Sequence, residues 1–193
     1  DRFTKVLAYT RKAYSNGSKG CHKLWRWAEN YNGCLAIKTA TAIVEFAVKN
    51  NVDAIVMENL SGMGGKIHGS KKQRLALWRK REIARRVEEM AHRRGIRFST
   101  VCAYSTSLLA YDGSGKVARD KDNHSLCTFK TGKRYNADLN ASYNIGARYF
   151  IREILKTLSG RKVSEVHAKV PELSVRTRCT LATLYSLTAV LVA

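Results

Sequence analysis

The sequence predicts an α/β fold, and four stretches carry that prediction. Apolar and small residues recur at helical spacing from Leu35 to Val48 (Ala36, Ala40, Ile43, Val44, Ala47) and stop at Lys49-Asn50-Asn51. The short apolar run Ile55-Val56-Met57 follows at once, of the kind found in a strand buried on both faces. A second strand composition spans Ile96 to Tyr104, and a helix is signalled from Asn136 or Asp138, either of which can cap it, to about Leu158.

Charge narrows the partners. The 193 residues hold 35 Lys and Arg against 15 Asp and Glu, a formal net charge of +20. A field of that size favours a polyanion: DNA, RNA or an anionic membrane. The length suits one ordinary domain, with room for a terminal appendage. No apolar run reaches the length of a bilayer span. The start, Asp1-Arg2-Phe3-Thr4-Lys5, has no initiator Met and no signal-peptide pattern, which predicts a cytoplasmic protein or a piece cut from a longer one. Cys21, Cys34, Cys102, Cys127 and Cys179 are odd in number and irregular in spacing, which predicts reduced thiols rather than a disulfide framework.

The elements follow in chain order. Asn16-Gly17-Ser18-Lys19-Gly20 breaks two basic helical segments. The second carries Trp25 and Trp27 beside Lys23 and Arg26. These aromatics could stack on bases, but read better as anchors that pack the helix onto the sheet. Glu58 follows the first strand run, at the sheet mouth where open α/β folds place their chemistry. Ser61 to Ser70 is glycine-rich without the offsets of a phosphate-binding loop, so it reads as a flexible connection beside the carboxylate.

Lys71 to His92 reads as one long helix with Ala76, Ile83, Val87 and Met90 on its core face. Lys71, Lys72, Arg74, Arg79, Lys80, Arg81, Arg85 and Arg86 crowd the other face, and Arg93 and Arg94 extend the charge past its end. Only Glu82, Glu88 and Glu89 oppose them, so a phosphate backbone is expected to relieve the repulsion. Asp112-Gly113 and Thr131-Gly132-Lys133-Arg134 read as turns, with a small hairpin from Val117 and Leu126–Phe129 around Arg119–Asn123. In the following helix Asp138, Ser142, Ile145 and Tyr149 share a face. Beyond Pro171 an apolar tail with Leu181, Leu184, Leu187 and Leu191 can cover the core or bind a partner.

Ala54-Ile55-Val56-Met57-Glu58-Asn59-Leu60, the basic helix, Ser105-Thr106-Ser107 and Asn136-Ala137-Asp138-Leu139-Asn140-Ala141-Ser142-Tyr143-Asn144-Ile145 occur in a recognisable order and spacing. Over roughly residues 20–158 the chain resembles the C-terminal half of a TnpB/OrfB-type transposon-encoded protein, a family related to the CRISPR type V effectors. The resemblance implies an RNase H-like (RuvC) α/β core and RNA-guided, metal-dependent cutting of DNA. It assigns residues 1–104 and 134–158 to that core, 105–133 to an insert and 159–193 to a helical tail. It makes Glu58 and Asp138 the second and third catalytic carboxylates. Phosphodiester hydrolysis at two Mg²⁺ (or Mn²⁺) ions about 4 Å apart suits hard carboxylate oxygens. DNA is the implied partner, with a guide RNA.

Two departures qualify the implied activity. The family's first catalytic Asp, in an apolar Asp-x-Gly strand, has no counterpart in residues 1–40, so the core reads as incomplete and negligible cutting is expected of this chain alone. The family's two Cys-x-x-Cys pairs are also missing. Leu108-Leu109-Ala110-Tyr111 stands in the place of the first, and His124-x-x-Cys127 is half of the second. These read as unliganded surface side chains on a degenerate hairpin, and zinc is not expected. The alternatives to an incomplete endonuclease are a non-catalytic nucleic-acid-binding remnant of the same family and an unrelated RNA- or ribosome-associated basic protein.

Overall fold

The computed structural model describes residues 2–18, 20–61 and 79–192. In order these form α1 (Arg2–Ser15), α2 (His22–Lys49), β1 (Ala54–Asn59), α3 (Lys80–His92), β2 (Arg97–Cys102), β3 (Ala118–Arg119), β4 (Leu126–Thr128), β5 (Arg134–Asn136), α4 (Ala137–Thr157), α5 (Gly160–Lys169), 3-10 turns at Pro171–Ser174 and Arg176–Arg178, and α6 (Leu181–Val192). The fold is mixed α/β, mostly helical, with small sheets of order β1-β2 and β3-β4-β5. The glycine-rich stretch after Ser61 and the cations Lys71, Lys72 and Arg74 lie outside the described residues.

Two compact units divide the chain, Asp1–Ile55 with Leu60–Phe98 and Val56–Asn59 with Ser99–Ala193. In the first, α2 is a single helix of 28 residues, longer than the expected run from Leu35. Asn32 and Gly33, weak helix formers, are carried through because one buried face, Ala28, Asn32, Ala36, Ala40, Val44 and Ala47, continues across them. Alanines on that face let neighbouring helices approach closely; α1 and α3 pack against it. Val87 and Ala91 of α3 are fully buried, with Ile83 and Met90 half-buried beside them. Asn50 closes α2, its Nδ2 donating to Phe46 O at 2.8 Å, and Asn51 turns the chain at φ 50°. Trp27 corrects the anchoring expectation: it is 45% exposed and stacks on Tyr31 at 5.5 Å, one helical turn along the same helix.

In the second unit the hairpin expected near Val117 and Leu126–Phe129 is present. Ala118 pairs Thr128, and Leu126 pairs Asn136, both antiparallel. Its loop is braced by Asp120, which accepts from the backbone N–H groups of Asp122 and Asn123 at 2.9 Å. Ala110, Val117, Cys127, Phe129 and Ala137 form its core. Cys127 is 1% exposed and so is a core thiol rather than a surface one. It replaces a hydrophobe at no cost in shape, and burial pushes its pKa up. A second core joins Ile151 of α4, Val166 and Val170, Leu173, Cys179 and Leu187 of α6. Leu187 is completely buried there, so the apolar tail covers this core.

Candidate active site

Glu58 lies within β1, not beyond it, and only Ile55 of the preceding apolar run is buried; Val56, Met57 and Glu58 are half-buried. With β2 as its one strand neighbour among the described residues, β1 is an edge strand and not the central strand of a covered parallel sheet that the apolar run suggested. The Thr106 hydroxyl donates to Glu58 Oε1 and sits 3.0 Å from Ala103 O. Thr106 is buried, in a turn where Ser105 adopts φ 62°. That left-handed conformation, uncommon without glycine, aims the hydroxyl-bearing residue at the strand.

A polar ladder on α4 holds this turn. Asn144 Nδ2 donates to Thr106 O at 2.9 Å and to Leu109 O at 2.8 Å. Asn140 Nδ2 also donates to Leu109 O, and Asn140 Oδ1 accepts from Tyr111 N–H at 2.9 Å. Arg148 donates to Cys102 O, Tyr104 O, Thr177 O and Cys179 O at 2.6–3.2 Å. Arg152 donates to Thr100 O at 2.9 Å and Ser99 Oγ at 2.6 Å. Residues 140, 144, 148 and 152 recur every four positions, on one helix face. Asn140 and Asn144 lie in the stretch that carries the family resemblance, but none of the four stands out in the sequence as an anchor of the following turn. Their signal is an Asn-x₃-Asn-x₃-Arg-x₃-Arg stripe inside an otherwise apolar helix, a pattern that only backbone partners can satisfy when buried.

Asn136 caps α4, its Oδ1 accepting from the N–H groups of Asp138 and Leu139 at 2.9 and 3.0 Å. Asp138 stands in the first turn, where the helix dipole favours a carboxylate, and it is exposed. The stripe from Asp138 through Ser142 to Tyr149 runs from solvent into the core, and is not the face that anchors the helix. Glu58 and Asp138 thus belong to one unit: Glu58 is tied through Thr106 to Asn144 of α4, and Asp138 lies six residues earlier, about 9 Å along the axis. Burial pulls the Arg148 guanidinium below its ordinary pKa, while Cys102, Cys179 and Glu58 act the other way.

The cations of α3 are partly spoken for within the first unit. Glu82 takes Arg79 at 2.9 Å and Arg86 at 2.8 Å, Glu89 takes Arg85, and Glu29 of α2 takes Arg79 at 3.2 Å. Arg81 donates to Ser61 O at 2.6 Å. Repulsion on this helix is therefore relieved more by its own carboxylates than their number suggested. Arg93 and Arg94 are exposed.

The metal implied by the family resemblance is a hard divalent cation, and the donors fit in kind: two carboxylates, one half-buried and held, one open to solvent. They fall short in number, because among the described residues no three of His, Cys, Asp and Glu gather in a group able to hold a metal ion.

No protein-family model and no curated protein matches the chain. Among solved structures it is similar to a chain of the Cas12f1–sgRNA–target DNA complex determined by cryo-EM, with a TM-score of 0.56 and 24% identity. The match covers 74% of this chain and 40% of that one. The fold is therefore one shared with part of the Cas12f1 chain, and the match spans 40% of that chain's length. Among the described residues no helix is long and apolar enough to cross a membrane.

Proposed function

We propose that this chain is the C-terminal part of a transposon-associated, RNA-guided DNA endonuclease of the TnpB/OrfB type, with Glu58 and Asp138 as two of its metal-binding carboxylates. The observation that carries the reading is the Thr106–Asn144 bridge, which ties the strand of Glu58 to the helix whose first turn bears Asp138. The fold shared with Cas12f1 and the charge of +20 support it. Mg²⁺ or Mn²⁺, when bound, would supply Lewis-acid stabilisation of phosphodiester oxygens and an activated water. The chain's own residues hold and orient: Thr106 fixes one Glu58 oxygen, Asn136 fixes the backbone beneath Asp138, and the exposed cations attract the strand from solution.

Two carboxylates bind such an ion weakly, so DNA cutting by the chain alone is expected to be negligible. Mn²⁺ titration followed by electron paramagnetic resonance tests the site. A site lost in both Glu58→Gln and Asp138→Asn supports the proposal. Equal Mn²⁺ affinity in wild type and both variants overturns it.

A second reading, a non-catalytic nucleic-acid-binding remnant, is favoured by the lack of a three-ligand group among the described residues. It expects nucleic-acid binding with no Mn²⁺ site at Glu58, so the same titration separates the two.

A further inference from the structure

The unit formed by Val56–Asn59 and Ser99–Ala193 holds a cavity of about 410 Å³ that the proposed metal chemistry does not use. Its apolar lining is Val101, Ile151, Leu155 and Leu173, with Cys102 and Cys179 beside them. Arg148, Arg152 and Lys156 enter from successive turns of α4, and Arg176 from the second 3-10 turn. No carboxylate is among its lining residues.

The four cations differ in what they have left to give. Arg152 is occupied by Thr100 O, Ser99 Oγ and Glu153 (3.0 Å), and Lys156 shares the same Glu153 at 3.1 Å. Arg148 is 6% exposed and bonded to carbonyls alone, with no carboxylate of the described residues at ion-pair distance. Carbonyl dipoles satisfy its N–H groups, and Glu58 attracts it only from beyond ion-pair distance, so burial still outweighs the favourable charges around it. Arg176 is exposed and is not engaged in a side-chain hydrogen bond or ion pair with the described residues. An anion in the cavity would meet the buried charge and the free one together.

We propose that this cavity binds a nucleotide unit, its phosphate at Arg176 and Lys156 beside the buried Arg148 charge, its heterocycle against Val101, Ile151, Leu155 and Leu173. Ligand cavities start at about 300 Å³, so the space suffices for such a group. Extruded bases are held between apolar side chains and stack on guanidinium planes, and aliphatic and arginine residues both line this cavity. The inference rests on the nucleic-acid-binding half of the proposed function and not on the metal site. The nucleotide is either free or one extruded residue of a single strand.

Calorimetry of the full chain with AMP is the test. AMP is expected to bind one to one, and Arg176→Glu, a rim change away from the α4 ladder, to weaken it about tenfold. Leu155→Trp, which fills the floor, is expected to abolish binding, and Arg176→Glu keeps the test decisive if that variant fails to fold. A single-stranded oligodeoxyadenylate that displaces AMP assigns the site to a strand; one that binds without displacing AMP assigns it to a free nucleotide. Absence of saturable AMP binding up to about 10 mM, where affinity falls below about 3 kcal/mol, overturns the proposal. So does an AMP affinity unchanged by Arg176→Glu. Mn²⁺ affinity at Glu58, read on the same variant, stays at the wild-type value, so failure of the metal site and failure of this one are told apart.

Discussion

Arg148 joins three pieces of chain: the end of β2 through Cys102 O, the following turn through Tyr104 O, and the segment before α6 through Thr177 O and Cys179 O. One planar fork reaches four acceptors because its donors point in fixed, divergent directions; an ammonium cannot copy that. Arg148→Lys is therefore expected to leave two or more buried carbonyls unpaired and to cost about 2–4 kcal/mol in urea denaturation. A loss under about 0.5 kcal/mol, the range of an unimportant surface change, would show that water replaces the lost bonds. Thr106 is the smaller case. Thr106→Val keeps the shape, removes the donor to Glu58, and is expected to cost about 1 kcal/mol, read in the same experiment. Neither role is visible from residue type. Arg148 reads in the sequence as one more cation of an abundant set, and Thr106 as the middle of Ser105-Thr106-Ser107. Their partners are backbone carbonyls and a carboxylate distant in the chain, which no local pattern encodes.

Helices with strong periodicity could be read directly. The helix from Asn136 ends at Thr157, within a residue of its expected end, because its Asn cap and the apolar spacing agree. The buried face of α2 hid its true start, since small residues give a weak apolar signal. The anchoring face of α4 carries no periodic signal for the converse reason: its buried stripe is polar, and periodicity counts apolar residues. On α3, a pH experiment isolates one carboxylate. The Arg86 hydrogen bond, with Arg79 assisting and burial opposing, holds Glu82 below the usual carboxylate range. A lowered folded-state pKa means the stabilisation is complete above the unfolded value near about 4.3 and is lost as pH falls through the folded one. Glu82→Gln is thus expected to be about 1 kcal/mol less stable than wild type at neutral pH, with the gap closing in acid; a gap independent of pH would place the effect in packing. The β3–β5 hairpin makes a different prediction. Its core contains Cys127 as a buried thiol with Phe129 and Val117; Tyr111 meets Phe129 and Tyr135 edge-on at 5.4 Å, and the Lys133 ammonium lies over both tyrosine rings at 4.9–5.1 Å. Such a hairpin is expected to need no zinc: protein purified without chelator should contain none by metal analysis, and stoichiometric zinc would refute this.

For the molecule as a whole, the excess of cations is the property that composition alone made plain. The charges are not equal contributors. Arg79, Arg85 and Arg86 are already paired to Glu82, Glu89 and Glu29, so a phosphate must compete with a carboxylate for each. Arg93 and Arg94, exposed where α3 gives way to the turn before β2, have no carboxylate partner among the described residues. Counterion release then makes a numerical prediction. Each neutralised phosphate of a single strand contributes about 0.7 to the slope of log affinity against log salt. Arg93→Ala with Arg94→Ala is expected to make that slope shallower by about 1.4 and to weaken binding similarly on every sequence, because phosphate contacts carry no base information. Arg79→Ala, which frees Glu29 and leaves Glu82 paired to Arg86 alone, is expected to change the slope by less than either single exposed arginine. Fluorescence anisotropy of a labelled oligonucleotide over a salt series measures all of these. Equal slope changes for Arg79 and Arg93 would mean that the ion pairs on α3 open on binding, and a slope unaltered by the double variant would move the phosphate-binding surface off this end of the helix.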